Sequence, residues 1–241
     1  MNGASEYERP CMASSGSAAP ARDDAAAPWK TRFRRLGGAQ VRDLLGEPDP
    51  ETRLKILDHL DRNCRAFIAH APFCCLATSN GAGEADCSPR GDYPGFARVL
   101  DENTLAVPDR LGNKLGDSFT NIVENPHIGM LFFVPGAVET LRVNGRAYVT
   151  DDRDLRTMLE QDGVRPQMAT VVEVEAAYLH CGRALLRSRL WEPDMKDLAD
   201  EIPSPGTFWA DAAKAAGAAE AAGLDAERLD RLFEAGYQEL Y

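Results

Sequence analysis

Long apolar runs are missing from this sequence: none reaches the eighteen or so residues that span a bilayer. The first thirty residues, MNGASEYERPCMASSGSAAPARDDAAAPWK, hold no apolar segment of the kind a secretory signal needs. Positive charge is also in short supply, with 27 basic against 38 acidic side chains and a formal net charge of -11. That balance argues against general affinity for nucleic acid or for an anionic membrane, since both are bound through cationic faces. Six cysteines (Cys11, Cys64, Cys74, Cys75, Cys87, Cys181) include no CxxC, and the four histidines show no HxxxH or HExxH spacing. No metal site and no disulfide framework is expected from such spacing, and reduced thiols in a cytoplasmic setting are the default. No hydrolytic motif stands out either.

What is present is enough apolar sequence, 44% of 241 residues, for one sizeable core with appendages. Residues 1–28, rich in Ala, Ser, Gly and Pro without periodicity, read as disordered. From Asp49 the spacing of Leu54, Leu57, Leu60, Cys64, Phe67 and Ile68 predicts one helix that Pro72 ends. FCCLATSNGAGEADCSPRGD then reads as strand, Asn-Gly turn, strand, and GFARVLDENTLAVPD repeats the arrangement. NKLGDSFTNIVENP is helical. HIGMLFFVP, VETLRVNGRAYVTD and MATVVEVEAAY are strands, with a short helix, DRDLRTMLEQ, between the last two. Five or six antiparallel strands with short helical insertions predict an α+β, mainly β fold built on a small barrel. The barrel domain is expected over 29–195. A helical extension over 196–241 carries Leu229, Leu232, Phe233 and Tyr237 on one stripe, to pack on the barrel or on a partner subunit.

Two basic stretches punctuate this acidic chain, DCSPRGD at the end of one strand and PDRLGNK at the end of another. A helix opening near Asn113 would put Asn113 and Lys114 in its first turn, beside unpaired N–H groups and the positive end of the dipole. A cation costs a few tenths of a kcal/mol there unless an anion neutralises it. Helix start, Lys114 and Arg90 from a neighbouring strand together make a cradle for a terminal phosphate. A solvated loop is the plainer alternative, with Lys114 on the surface and Arg90 paired to Asp92 or Asp109.

From about Pro72 to Val149, the combination of SPRGD, PDRLGN and LRVNGRA resembles the FMN-binding split barrel of the pyridoxamine 5'-phosphate oxidase-like superfamily. It is most similar to the bacterial subgroup carrying those motifs, with a looser echo in HCGRALLRSRLW. The resemblance implies that Arg90, Asn113 and Lys114 hold the FMN phosphate, with Ser88 close by. It implies that Val107, Pro108, Asp109 and Arg110 run along the flavin ring and that Thr140 touches it. Asn113 stands where an arginine is more usual, and Pro108 offers no N–H to the ring. Relatives form two-fold dimers with FMN at the interface, which implies a homodimer to which Arg187 and Trp191 of RSRLW contribute across the boundary. Trp191 packed beneath the C-terminal helices is the structural alternative.

Flavin carries its own redox chemistry, so an FMN-dependent oxidoreductase of a small molecule needs no catalytic dyad, and no catalytic residue is singled out. The Arg-x-His substrate motif of authentic pyridoxamine phosphate oxidases is absent, because no histidine follows His180. Vitamin B6 oxidation is therefore not the expected activity. The competing readings are a non-enzymatic flavin-binding protein, a barrel holding deazaflavin or haem (with His127 as ligand), a thiol redox role for Cys74, Cys75 or Cys87, and a plain interaction module.

Overall fold

β-branched and aromatic residues gather between positions 73 and 180. In the computed structural model, which describes residues 33–217 and 225–241, they form one antiparallel sheet. The chain divides into two units, Met1–Pro48 and Asp49–Tyr241. The first contains helix α1 (Gly38–Leu45); the stretch 1–28, expected to be disordered, lies outside the described residues. The second unit holds everything that follows.

Its opening departs from the sequence expectation. The single helix expected from Asp49 to Pro72 is two helices, α2 (Pro50–Leu54) and α3 (Arg62–His70). Between them Leu57 forms a bridge with Ala177, its N–H donating at 3.1 Å and its carbonyl accepting at 2.8 Å. Asp61 then restarts the helix, its side chain accepting from the Cys64 N–H at 2.8 Å. A strand partner far away in sequence thus interrupts the expected helix, whose apolar spacing holds in α3, where Cys64, Phe67 and Ile68 meet the core, and not in α2, where Leu54 is exposed.

Seven strands follow: β1 (Phe73–Ser79), β2 (Ala85–Gly91), β3 (Arg98–Val99), β4 (Thr104–Pro108), β5 (His127–Phe133), β6 (Thr140–Thr150) and β7 (Ala169–His180). Their order is β2-β1-β5-β6-β7-β4-β3, so the barrel is split and β2 and β3 are its edges. In the β1–β2 hairpin, the Asn80 side chain accepts from the N–H groups of Ala82 and Glu84, and Gly83 takes φ 84° to close the loop. Inside the curled sheet lie Leu76, Leu105, Met130, Phe132, Leu141, Val143 and Val172, joined by Leu60 and Ile68 from the helical layer.

Helix α4 (Asp117–Glu124) lies against β1, β2 and β6, and α5 (Arg153–Met158) connects β6 to β7. Beyond the sheet come α6 (Arg183–Ser188) and a 3-10 helix (Pro193–Glu201). The pair α7 (Pro205–Ala215) and α8 (Ala226–Gly236) follows. These last two pack on each other through Trp209 and Phe233, whose ring centroids are 5.2 Å apart.

The β6–β7 ladder shifts register at Asn144/Gly145. A Cβ on Gly145 would stand 2.0 Å from the Glu173 carbonyl oxygen, a backbone atom that cannot swing away. Gly145→Ala is therefore expected to destabilise the fold by about 2–3 kcal/mol or more. Urea unfolding, followed by the shift in midpoint at unchanged slope, measures it.

Candidate functional site

The split of the barrel is where the two basic stretches meet. β2 ends in Arg90 and Gly91 with Asp92 just beyond, and β4 ends in Pro108 followed by Asp109 and Arg110. The charges pair crosswise between RGD and PDR. Arg110 Nε donates to Asp92 Oδ2 at 2.5 Å, and Arg90 Nη1 stands 3.8 Å from Asp109 Oδ1.

The two pairs are unequal. Asp92 is almost fully buried, its side chain 2% exposed. Its Oδ1 accepts from the Tyr93 N–H at 2.7 Å and from the Tyr241 hydroxyl at 2.5 Å. Burial works to raise its pKa, but the hydrogen bonds from Tyr241, Tyr93 and Arg110, with the Arg110 charge, together pull it below the ordinary aspartate value. Tyr241 responds in the opposite sense, its phenol pushed up to about 12 by burial first and then by the Asp92 carboxylate. Its ring also lies 5.6 Å from the Arg110 guanidinium. Arg110 Nη2 donates to the Leu159 carbonyl at 3.0 Å. Arg110 Nη1 is buried without a hydrogen-bond partner, which is true of no other buried side-chain nitrogen or oxygen among the described residues.

The second pair is looser. Arg90 Nε donates to Ser88 Oγ at 3.2 Å, and its guanidinium lies over the Phe119 ring at 4.8 Å. Its terminal nitrogens make no hydrogen bond among the described residues, and the 3.8 Å approach to Asp109 is an ion pair only. Asp109 is held above its ordinary pKa by burial, which the Arg90 and Arg110 charges only partly offset. Behind Arg90 runs a polar chain: Ser88 Oγ lies 2.9 Å from Ser118 Oγ, which donates to Asp86 Oδ2 at 2.8 Å. Ser118 is in the first turn of α4, so this chain ties that helix to β2.

α4 itself starts later than expected. It begins at Asp117, after Gly116 takes a left-handed φ of 74°, so Asn113 and Lys114 precede it. Asn113 accepts the Leu115 N–H at 3.1 Å in a local turn, and that turn holds Lys114 at φ 62°. Side chains seldom adopt that region unless the surroundings enforce it. Lys114 is exposed and has no ion-pair or hydrogen-bond partner among the described residues. Val107 and Pro108 are buried, and the Asp109 N–H is spent on the Met168 carbonyl at 3.0 Å.

Ser88, Arg90, Asp109 and Arg110 thus come together, and no hydrogen bond or ion pair among the described residues links them to Thr140, Arg187 or Trp191. Arg90 shares a cross-strand row with Cys74, Phe132 and Leu141, all inward-facing, so Thr140, one residue before Leu141, points to the opposite face of the sheet. Trp191 donates its indole N–H to the Ala137 carbonyl at 2.7 Å, in the turn between β5 and β6, and Arg187 is exposed on α6. His127 has its Nε2 engaged with Arg146 at 3.2 Å. The sequence offers Asp92 to Arg90 as an alternative to Asp109, whereas the structure pairs it with Arg110, and the sequence gives Phe119 no place at the site. Asp92 was legible in the mirrored order of RGD and PDR, whereas nothing local to Tyr241 marks it.

Linkage separates the two aspartates. The lowered Asp92 pKa contributes stability that is present above pH 3.8 and lost as pH falls through its depressed folded value. The raised Asp109 pKa contributes in the opposite sense, favouring the fold below pH 3.8 and losing that contribution as pH rises through the folded value. At pH 7, Asp92→Asn is expected to cost about 3 kcal/mol, because it strands a buried Arg110. Asp109→Asn is expected to unfold at or above the wild-type urea midpoint. Equal loss in both variants would contradict the asymmetry.

No curated protein matches the sequence. Among solved structures, the chain is similar to HupZ of Group A Streptococcus, with 15% identity and a TM-score of 0.42 over 49% of this chain and 92% of that one. It is similar to a general stress protein 26-related protein of the pyridoxinephosphate oxidase family from Clostridium acetobutylicum (13%, 0.37, over 49% and 85%). An FMN-binding protein from Syntrophomonas wolfei gives 9% and 0.39, over 48% and 83%. The family model described as pyridoxamine 5'-phosphate oxidase matches residues 60–181, just over half of the chain and the whole of the seven-stranded sheet. The chain belongs to the pyridoxamine 5'-phosphate oxidase family.

Proposed function

We propose that this protein binds FMN at the split of its barrel and acts as an FMN-dependent oxidoreductase on a small molecule. The observation that carries this reading is the surplus of hydrogen-bond donors on the two basic stretches of an acidic protein. Arg90 has terminal nitrogens without hydrogen bonds, Arg110 has a buried nitrogen without a partner, and Lys114 stands unpaired in a strained turn. A phosphate monoester is a ligand that accepts from several such cations at once. These residues fit its charge and its appetite for donors.

In this reading Arg90, Lys114 and Asn113 hold the phosphate. Ser88 keeps Arg90 at its station through Nε, and the Phe119 ring backs the guanidinium. An arriving phosphate competes with Asp109 for Arg90. The loose pair at 3.8 Å is suited to that exchange, since Asp109 makes no hydrogen bond to Arg90 that the phosphate would have to break. Val107, Pro108, Asp109 and Arg110 form the wall beside the ring. Arg110, fixed by Asp92 and the Leu159 carbonyl, keeps that wall in place. When bound, FMN supplies reversible transfer of hydride and single electrons, which no side chain here provides.

The same reading makes the protein a cytoplasmic homodimer with FMN at the interface. Arg187 and Trp191 then serve the flavin of the second subunit, Thr140 serves the ring, and the extension over 196–241, whose Tyr241 reaches Asp92, packs on the barrel or on that subunit. Pyridoxamine phosphate itself is not the proposed substrate, since no histidine follows His180 to complete the Arg-x-His pattern.

Each charge-assisted phosphate contact is worth about 1.5–3 kcal/mol. Arg90→Ala combined with Lys114→Ala is therefore expected to weaken FMN binding at least a hundredfold, at about 1.4 kcal/mol per tenfold. Quenching of flavin fluorescence during titration reports it. Unchanged affinity would remove the phosphate assignment, and release of a different cofactor on mass spectrometry of the purified protein would remove FMN. Oxidation of a reduced nicotinamide by the loaded protein tests turnover; a yellow protein that never turns over would be a carrier.

A further inference from the structure

Cys75 and Cys87 lie on the hairpin that carries Arg90, and the site described above uses neither. In the β1–β2 ladder Cys75 is opposite Pro89 and Ala77 is opposite Cys87, so the two thiols are diagonal neighbours on one face. That face is the outer one, because the intervening Leu76 and its partner Ser88 point inward. In a right-handed twisted hairpin such a diagonal closes up. The two thiols are close enough for Cys87, after burial, to push the Cys75 thiol up.

The surroundings leave the pair open. Cys87 is exposed and Cys75 half-buried. On that face Cys75 sits opposite Pro89 on β2 and Leu131 on β5, whereas Ala77, opposite Cys87, and Gly129 beyond it carry almost no side chain. β2 is an edge strand with no strand on its far side, so its backbone can yield the distance by which a diagonal cross-strand pair exceeds disulfide geometry. Cys74, the adjacent residue, is fully buried on the inner face and faces away from both. Cys64 is buried in the core, and Cys181 lies just past the end of β7.

We propose that Cys75 and Cys87 are an oxidisable dithiol, which a small-molecule disulfide converts to a cross-strand disulfide on the outer face of the sheet. Exposed Cys87 reacts first: its thiolate attacks the oxidant, forming a mixed disulfide and releasing one thiolate. The Cys75 thiolate then attacks the Cys87 sulfur and expels the second. One sulfur–sulfur bond forms in the protein and one is lost in the oxidant. Two protons and two electrons leave Cys75 and Cys87, and the oxidant ends as two thiols. The bond would clamp the edge strand that also bears Asp86, Ser88 and Arg90. The chemistry itself is independent of any flavin.

The test treats the full-length protein with excess oxidised glutathione, blocks the remaining thiols, and cleaves before aspartate, which separates Cys75 from Cys87 at Asp86. The expected product is a pair of peptides joined through Cys75 and Cys87 that part on reduction, in a yield independent of protein concentration. Cys74→Ala should leave that product intact. Cys75→Ser should stop at glutathionylated Cys87, and Cys87→Ser should abolish both adduct and cross-link. Wild-type protein that accumulates glutathionylated Cys87 without the cross-link, or that joins Cys87 to Cys11, Cys74 or Cys181 instead, would overturn the proposal. So would a Cys87 that fails to react.

Discussion

The crossed pairing of RGD with PDR is the constraint on which the rest of this structure depends. A split barrel leaves two strand ends, β2 and β4, without a ladder to join them, and here side-chain charge does what backbone hydrogen bonds do elsewhere in the sheet. Arg110 and Asp92 form the rigid half. Both are largely buried, and four donors or acceptors from Tyr93, Tyr241, Leu159 and the pair itself satisfy nearly every polar atom. A buried ion pair gains little net stability over an apolar contact, but removing one partner is costly. Its role is to fix geometry. Arg90 and Asp109 form the loose half, and their looseness leaves a cation available.

That division of labour links fold to proposed activity. One arginine holds the split together and the other keeps its terminal nitrogens free of hydrogen bonds, each held by a different environment. Arg110 is clamped by a deeply buried carboxylate and a carbonyl. Arg90 is aimed by a serine hydroxyl and an aromatic face, which leave its terminal nitrogens uncommitted. The Asp86–Ser118–Ser88 chain continues the positioning inward, so a change at the start of α4 is felt at Arg90. Tyr241 brings the far end of the described chain onto Asp92, joining the segment beyond α8 to the split of the barrel.

Much of this was legible in the sequence, and the legible parts share a cause. The β1–β2 hairpin follows from Asn80 and Gly83, which act on their immediate neighbours. β5, β6 and β7 follow from apolar runs and alternation that are local by definition. Where expectation and structure part, a distant or conformational partner decides. The helix expected from Asp49 is interrupted because Leu57 pairs with Ala177, a partner no window of local sequence contains. α4 starts at Asp117 instead of near Asn113 because Gly116 adopts a left-handed turn, which moves Lys114 from the helix into a strained loop.

By itself the sequence determined which segments are strands, that they are antiparallel, and that two basic stretches end separate strands of an acidic protein. Hydrophobic alternation and turn chemistry act over a few residues, so they can be read from a few residues. Only the tertiary structure decided which aspartate each arginine meets. Asp92 follows Arg90 in the same short stretch yet pairs with Arg110, and Arg90 meets Asp109 from another strand, because burial and direction are set once the sheet has curled. The coiling of β-strands, summed over seven of them, brings the two ends together, and no single strand carries that sum.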